Sequence, residues 1–199
     1  MSTPLVTYEK DGYTVKVFAD EDASTADPRD ADNFCTLVFF GKSRGLGDDH
    51  GYDSGDYSGW SELTAAVEAN VPGGIVKPVY RFEHSGIALS TSDRMFRACD
   101  PQGWDWSQIG FAVVTAEEIR ANYLRKRISR KLREQAEGLV DAEVEEYSKF
   151  LNGEVYYFEV EDPEGNEVEI EDGVNYGFVG METVTQEANW FVESLKKAA

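Results

Sequence analysis

The sequence predicts an α+β protein: an antiparallel or mixed β-sheet packed on one side by helices. Three observations carry that reading. Short apolar or alternating runs recur between turn signals, as strands joined by tight connections require. The longer helical periodicities fall between groups of strands and not after each one. Hydrophobic residues make up 41% and aromatics 13% of the 199 residues, enough for a packed core. Residues 1–199 read as a single globular domain with long loops at 20–33, 41–59 and 92–108, because no repeat and no linker composition divides the chain.

Tyr13–Ala19 alternates apolar and polar positions and predicts a half-buried strand. The segment from Asp20 to Asn33, rich in Asp, Ala and Ser with Pro28, predicts an exposed loop. Cys35–Phe40 is continuously apolar and predicts a central strand. Gly41–Gly59 is a Gly/Asp/Ser/Tyr loop, long enough to suggest a role of its own. Ser58 or Gly59 caps a helix over Trp60–Asn70, with Leu63, Ala66 and Val67 on one face. Val79–Phe82 and Ile87–Ser90 predict strands around a turn at His84–Gly86. Ser92–Gln108 is irregular and aromatic, and Ile109–Val114 is a buried strand.

Thr115 and Glu118 form a capping box. Helical periodicity then runs to about Leu151, with a break between Tyr123 and Ser129 and a costly glycine at Gly138. Leu132, Ala136, Val140, Val144, Tyr147 and Leu151 make its apolar stripe, and Asn152-Gly153 stops it. Glu154–Glu161 and Glu167–Ile170 predict a hairpin turned at Asp162–Asn166. Tyr176–Gly180 predicts a short strand. Glu182–Lys197 predicts a last helix whose acids come early and bases late, as the helix dipole favours.

The formal net charge is −19, from 38 acidic and 19 basic residues. Such a field repels polyanions and attracts basic surfaces. It therefore argues against direct nucleic-acid binding. The plainer reading is that acidity serves solubility. Seven basic residues, Arg120, Arg125, Lys126, Arg127, Arg130, Lys131 and Arg133, stand in one stretch without an acid, so the remainder carries −26. The stretch reads as a basic patch, spent on the chain's own acids or on the acidic face of a second copy in a homodimer. No run is long and apolar enough to suggest a membrane helix. Met1–Tyr8 lacks the pattern of a signal peptide. Cys35 and Cys99 have no paired spacing, which predicts a reducing, cytoplasmic setting.

Four constellations carry possible chemistry. Asp48, Asp49, His50 and Asp53, with Asp56, offer hard donors for a divalent cation, although Asp and Gly are also ordinary turn formers. His84, Cys99 and Asp105 offer an imidazole, a thiol and a carboxylate for nucleophilic catalysis. The plainer expectation there is a turn histidine and a buried thiol. Trp104 and Trp106, two apart, offer an aromatic contact site, or core anchors under the loop. The distributed acids form the fourth. Asp20, Glu21, Asp22, Asp27, Asp30 and Asp32 lie in the first loop. Asp48, Asp49, Asp53 and Asp56 lie in the second. Glu143, Glu145 and Glu146 lie on the long helix. Glu159, Glu161, Glu167, Glu169 and Glu171 line one face of the hairpin, where opposed like charges cost stability. A carboxylate row of this kind imitates the phosphates of a polynucleotide. No cofactor is expected.

Leu46-Gly-Asp-Asp-His50, His84-Ser-Gly-Ile87 with Ser90-Thr-Ser92, Trp104–Gly110, Val114-Thr115 and Tyr147–Gly153 occur in an order that resembles a functionally uncharacterised family of small acidic proteins from bacteriophages and mobile elements. The resemblance covers roughly Val15–Phe158. Trp106 stands after Asp105 where the family pattern has Gly or Ser. It implies an origin in a phage and action in the cytoplasm of an infected bacterial host. By analogy it implies an anti-CRISPR or antirestriction inhibitor, with the basic surface of a nucleic-acid-binding defence complex as partner. Asp48, Asp49, Asp53, Asp56, Trp104, Trp106, Glu143, Glu146, Glu159, Glu161, Glu167 and Glu169 are the expected contact residues. The alternatives are an enzyme at either of the first two constellations and a dimeric accessory protein.

Overall fold

Eight strands and five helices follow one another in a computed structural model that describes residues 2–21, 26–170 and 174–198. The chain divides into two compact units, Met1–Asp30 with Lys149–Ala199 (unit 1) and Ala31–Ser148 (unit 2). Each contains one four-stranded antiparallel sheet. The α+β class expected from the sequence is the class observed. Among the described residues, no helix is long and apolar enough to cross a membrane.

Unit 1 orders its strands β1 (Val6–Lys10), β2 (Tyr13–Ala19), β7 (Val155–Glu161) and β8 (Phe178–Val179). Val15 and Val17 of β2 and Phe158 and Val160 of β7 are fully or almost fully buried, and they meet Val184, Ala188 and Val192 of α5 (Met181–Ala198). The four-residue spacing on α5 puts those three side chains on one face. β1 was not expected, because Val6, Tyr8 and Lys10 alternate too weakly to mark a strand.

The predicted hairpin is only half formed. β7 is a full strand, but Glu167–Ile170 contributes an isolated bridge from Glu167 to Glu161 and a Val168 amide bond to Val160. The neighbouring positions along β7 are taken by β8 and by Asn175, whose amide side chain donates to the Phe158 carbonyl at 2.7 Å. The turn itself is as expected: the Asp162 carboxylate accepts from the Glu164 and Asn166 amides at 2.9 and 2.8 Å.

Unit 2 orders its strands β3 (Thr36–Phe39), β6 (Trp106–Val114), β4 (Ile75–Glu83) and β5 (Ile87–Ser90). Helix α1 (Trp60–Asn70) packs Leu63 and Val67 onto Val38, Phe40, Phe111 and Val113. Leu37, Phe39, Ala112 and Val114, which alternate with these, are also buried. Both faces of this sheet are thus covered. Helix α4 (Arg130–Leu151) bonds to β4 through Lys77–Asp141 and to β5 through Ser148, which accepts from the Leu89 amide. Its stripe Leu132, Ala136, Val140, Val144 and Tyr147 is buried, Leu151 is half-buried, and Gly138 does not break the helix. α3 (Ala116–Asn122) opens on the expected capping box, and the expected break separates it from α4. Within the region read as irregular, Arg94–Cys99 forms a short helix, α2.

Gly110 is dictated by the sheet. A Cβ there would lie 2.0 Å from the Val38 carbonyl oxygen, so only glycine lets β3 and β6 approach at this point.

Candidate functional site

Cys35–Phe40 corrects the expectation of a central strand, because β3 lies at the edge of its sheet. Outward backbone groups of β3 are satisfied by side chains and by the Asp48 amide instead of another strand. The Leu37 amide donates to Asp48 Oδ2 at 2.7 Å, and the Asp48 amide donates to the Leu37 carbonyl at 2.9 Å. His50 Nε2 lies 2.7 Å from the Phe39 carbonyl oxygen. Glu143 accepts the amides of Phe34 and Cys35 at 2.6 and 2.9 Å. A continuous apolar run survives at an edge because these groups close it, which also blocks edge-to-edge pairing.

This arrangement decides the fate of several expected site residues. Asp48, His50 and Glu143 are tied to the β3 edge. Asp53 accepts from the Gly55 amide at 2.9 Å within its own turn. Among the described residues no group of three His, Cys, Asp or Glu side chains is gathered to hold a metal, so the set Asp48, Asp49, His50 and Asp53 is not assembled as a cation site. Asp49, Asp56 and Glu146 are exposed.

The trio of the alternative enzyme reading is also split. His84 Nδ1 lies 3.2 Å from Asp105 Oδ2, so the turn histidine and its carboxylate do meet, with the imidazole 72% exposed. Cys99 is exposed at the end of α2, contrary to the buried thiol expected, and no interaction among the described residues joins it to His84 or Asp105. Cys35 is the buried cysteine.

In unit 1 the carboxylate ladder holds partly. Phe158 and Val160 face the core, leaving Glu159 and Glu161 on the other face of β7. Glu161 is ion-paired with Lys16 of β2. Glu159, Glu167 and Glu169 line a shallow cavity of about 380 Å³ with Asn175 and Tyr176. Partial burial holds the Glu159 carboxyl above the ordinary range; the charges of Glu167 and then Glu161 push the same way, and Lys16 offsets them in part. Glu171 and Asp22 lie outside the described residues.

The seven bases do not act alike. Arg133 donates to the carbonyls of Gly74 and Gly73 at 3.0 and 2.6 Å, and Arg130 pairs with Glu134 at 2.9 Å. Arg120, Arg125, Lys126, Arg127 and Lys131 are exposed, as is Leu124 between the helices, at 87% with φ 52°.

A second concave site belongs wholly to unit 2. A cleft of about 650 Å³ is lined by Phe40, Leu63 and Ile109 and by three of the four tryptophans, Trp60, Trp104 and Trp106. Its polar lining includes Arg81, Glu83, Asp105, Lys42, Ser43 and Gln108. Arg81 is braced by Glu83 at 2.6 Å and by the Ser43 hydroxyl at 3.0 Å. The turn before β6 is organised by Asp100, whose carboxylate accepts the amides of Gln102, Gly103 and Asp105 at 3.2, 3.2 and 2.9 Å. Those backbone bonds, the Asp105 amide first, hold its carboxyl below the usual range. Trp106 donates its indole N–H to the Asp100 carbonyl at 2.9 Å and carries Arg97 over its ring at 5.7 Å. Trp104 is 81% exposed, its indole N–H bound to Gln102 at 2.7 Å. The two tryptophans therefore do not share one fate: Trp106 is half-buried and Trp104 stands at the rim. Sequence reasoning missed Trp60 and Arg81, and it offers Asp100 only as a carboxylate near Cys99, not as the organiser of this turn. An Asp followed at two, three and five residues by turn amides was the available signal for Asp100.

Fold and sites together define an α+β protein of two units, one presenting a carboxylate face and the other a tryptophan-lined cleft. No family model, curated protein or solved structure matches the chain.

Proposed function

We propose that this protein is a non-enzymatic inhibitor encoded by a bacteriophage. Its acidic face occupies the basic nucleic-acid-binding surface of a host defence complex, of the CRISPR or restriction type. The observation that carries the reading is the cluster of Glu159, Glu167 and Glu169 in unit 1. Glu159 is partly buried beside Glu167, so its charge is held at a cost to the fold. A cationic partner relieves that cost on binding. Unit 1 supports the same reading by composition, with 19 acidic and 6 basic residues, a net of −13. The phage setting rests on the resemblance of the motifs alone.

The test is protection of a phage. A host with an active CRISPR or restriction system expresses either the wild type or the variant Glu159→Gln/Glu167→Gln/Glu169→Gln. Wild type is expected to restore plaque formation and the variant to lose that effect while remaining folded. Absence of protection by the wild type, or full protection by the variant, contradicts the proposal.

A further inference from the structure

We propose that the tryptophan-lined cleft of unit 2 is a binding site for an uncharged planar heterocycle, of the class nucleosides represent. The inference is independent of the acidic face. Small-molecule sites are concave, of roughly 300–1,000 Å³, mostly apolar or aromatic, with a few convergent polar groups. The cleft has that volume, about 650 Å³, and that lining.

Two features select the ligand class. The first is flatness. Three indoles line one cleft, with the buried Phe40 in its wall, and aromatic side chains such as these indoles stack on flat rings of any base identity. The Trp104 indole N–H donates to Gln102 while 81% of the residue is exposed, so a large apolar surface stands in water at the cleft. The second is charge. Lys42 and Arg81 are matched in the lining by Glu83 and Asp105, giving no net charge. Three of these four groups already have partners: Arg81 bonds to Glu83, and Asp105 lies against His84. A donor-only group (Lys42), an acceptor-only group (Asp105) and a two-way group (Gln108) stand in one lining. That mixture suits the edge of a heterocycle, which carries donors and acceptors in a fixed pattern. A phosphate is disfavoured by Glu83, by Asp105 and by the overall charge of −19.

The experiment follows the four indole N–H resonances of the intact protein by NMR, assigned with single Trp→Ala variants. The probes are adenosine, guanosine, cytidine and uridine, then their 5′-monophosphates, and D-ribose alone. At least one nucleoside is expected to shift the Trp60, Trp104 and Trp106 signals saturably. Trp190, which lies in unit 1, is expected not to move. The matching monophosphate is expected to bind more weakly. Trp104→Ala, at an exposed position that leaves the core intact, is expected to weaken binding about tenfold or more. Gln108→Ala is expected to weaken it and to change which nucleoside is preferred. The proposal is overturned if no nucleoside moves the cleft indoles, if ribose alone moves them equally, or if Trp104→Ala binds as well as wild type. Loss of this proposal leaves the reading of the acidic face untouched, since that face uses none of these residues.

Discussion

The two units carry their charge differently. Unit 1 carries a net of −13 and unit 2 a net of −6, although each contains 19 acids. In unit 2 the acids are put to use within the fold: Asp48 and Glu143 close the edge of β3, Asp141 holds Lys77, Glu83 braces Arg81, and Asp100 organises a turn. In unit 1, Asp162 organises a turn and Glu161, Glu193 and Asp11 pair with Lys16, Lys10 and Lys196, while Glu159 feels the charges of Glu167 and Glu161 with only a partial offset from Lys16. An acidic composition therefore says little until each carboxylate's partner is known. Carboxylates bound to backbone amides belong to the fold, and those that face like charges are the ones proposed to meet a cationic partner.

The comparison breaks most readily in unit 2, whose geometry tolerates least. Gly110→Ala is expected to destabilise that unit by about 3 kcal/mol or more, because the new methyl meets backbone and not a flexible side chain. A denaturant midpoint near wild type would show that the β3–β6 approach is looser than described. Next in size is Glu143→Ala, which strands two amides at the entry to β3 and is expected to cost about 2 kcal/mol. Glu146→Ala, exposed on the same helix, is expected to stay within about 0.5 kcal/mol. Equal losses at the two positions would erase the distinction between structural and free acids.

In unit 1 the sign reverses. A carboxyl whose folded pKa is raised binds its proton more tightly in the native state, so stability falls as pH rises through that window. Glu159→Gln is therefore expected to raise the thermal midpoint at pH 7, and the gain should vanish below about pH 4, near the ordinary carboxylate range. A lower midpoint at pH 7 would make Glu159 a contributor to the fold. The smallest effect is expected at the exposed connection between α3 and α4. Arg125→Ala/Lys126→Ala/Arg127→Ala should leave stability within about 0.5 kcal/mol. Light scattering at low salt then separates a monomer from a dimer held by this patch, since a monomeric wild type eliminates the dimeric reading.

Much of the fold was legible because periodicity and punctuation agreed. Tyr13–Ala19 and Trp60–Asn70 occupy the residues that alternation and helical spacing predict. Thr115 with Glu118 starts a helix through local bonds that need no tertiary knowledge. The errors arose where distant groups decide. The apolar run at β3 looked central because sequence cannot show Asp48, His50 and Glu143 covering its edge. The second arm of the hairpin lost its place to Asn175 and β8, which arrive later in the chain. The site was legible only by residue type: Trp104 and the unit 1 glutamates stood out, but Trp60 and Arg81 join the cleft through tertiary approach, and Glu143 looked the same as Glu146.

The most direct measurement is a matched neutralisation scored by plaque formation under host defence. One variant removes three charges from unit 1 (Glu159→Gln/Glu167→Gln/Glu169→Gln), the other three exposed charges from unit 2 (Asp49→Asn/Asp56→Asn/Glu146→Gln). Loss of protection in the first and retention in the second is the expected result. Equal loss in both, or loss in the second alone, would mean that bulk acidity or unit 2 carries the activity and that the crowded face of unit 1 does not.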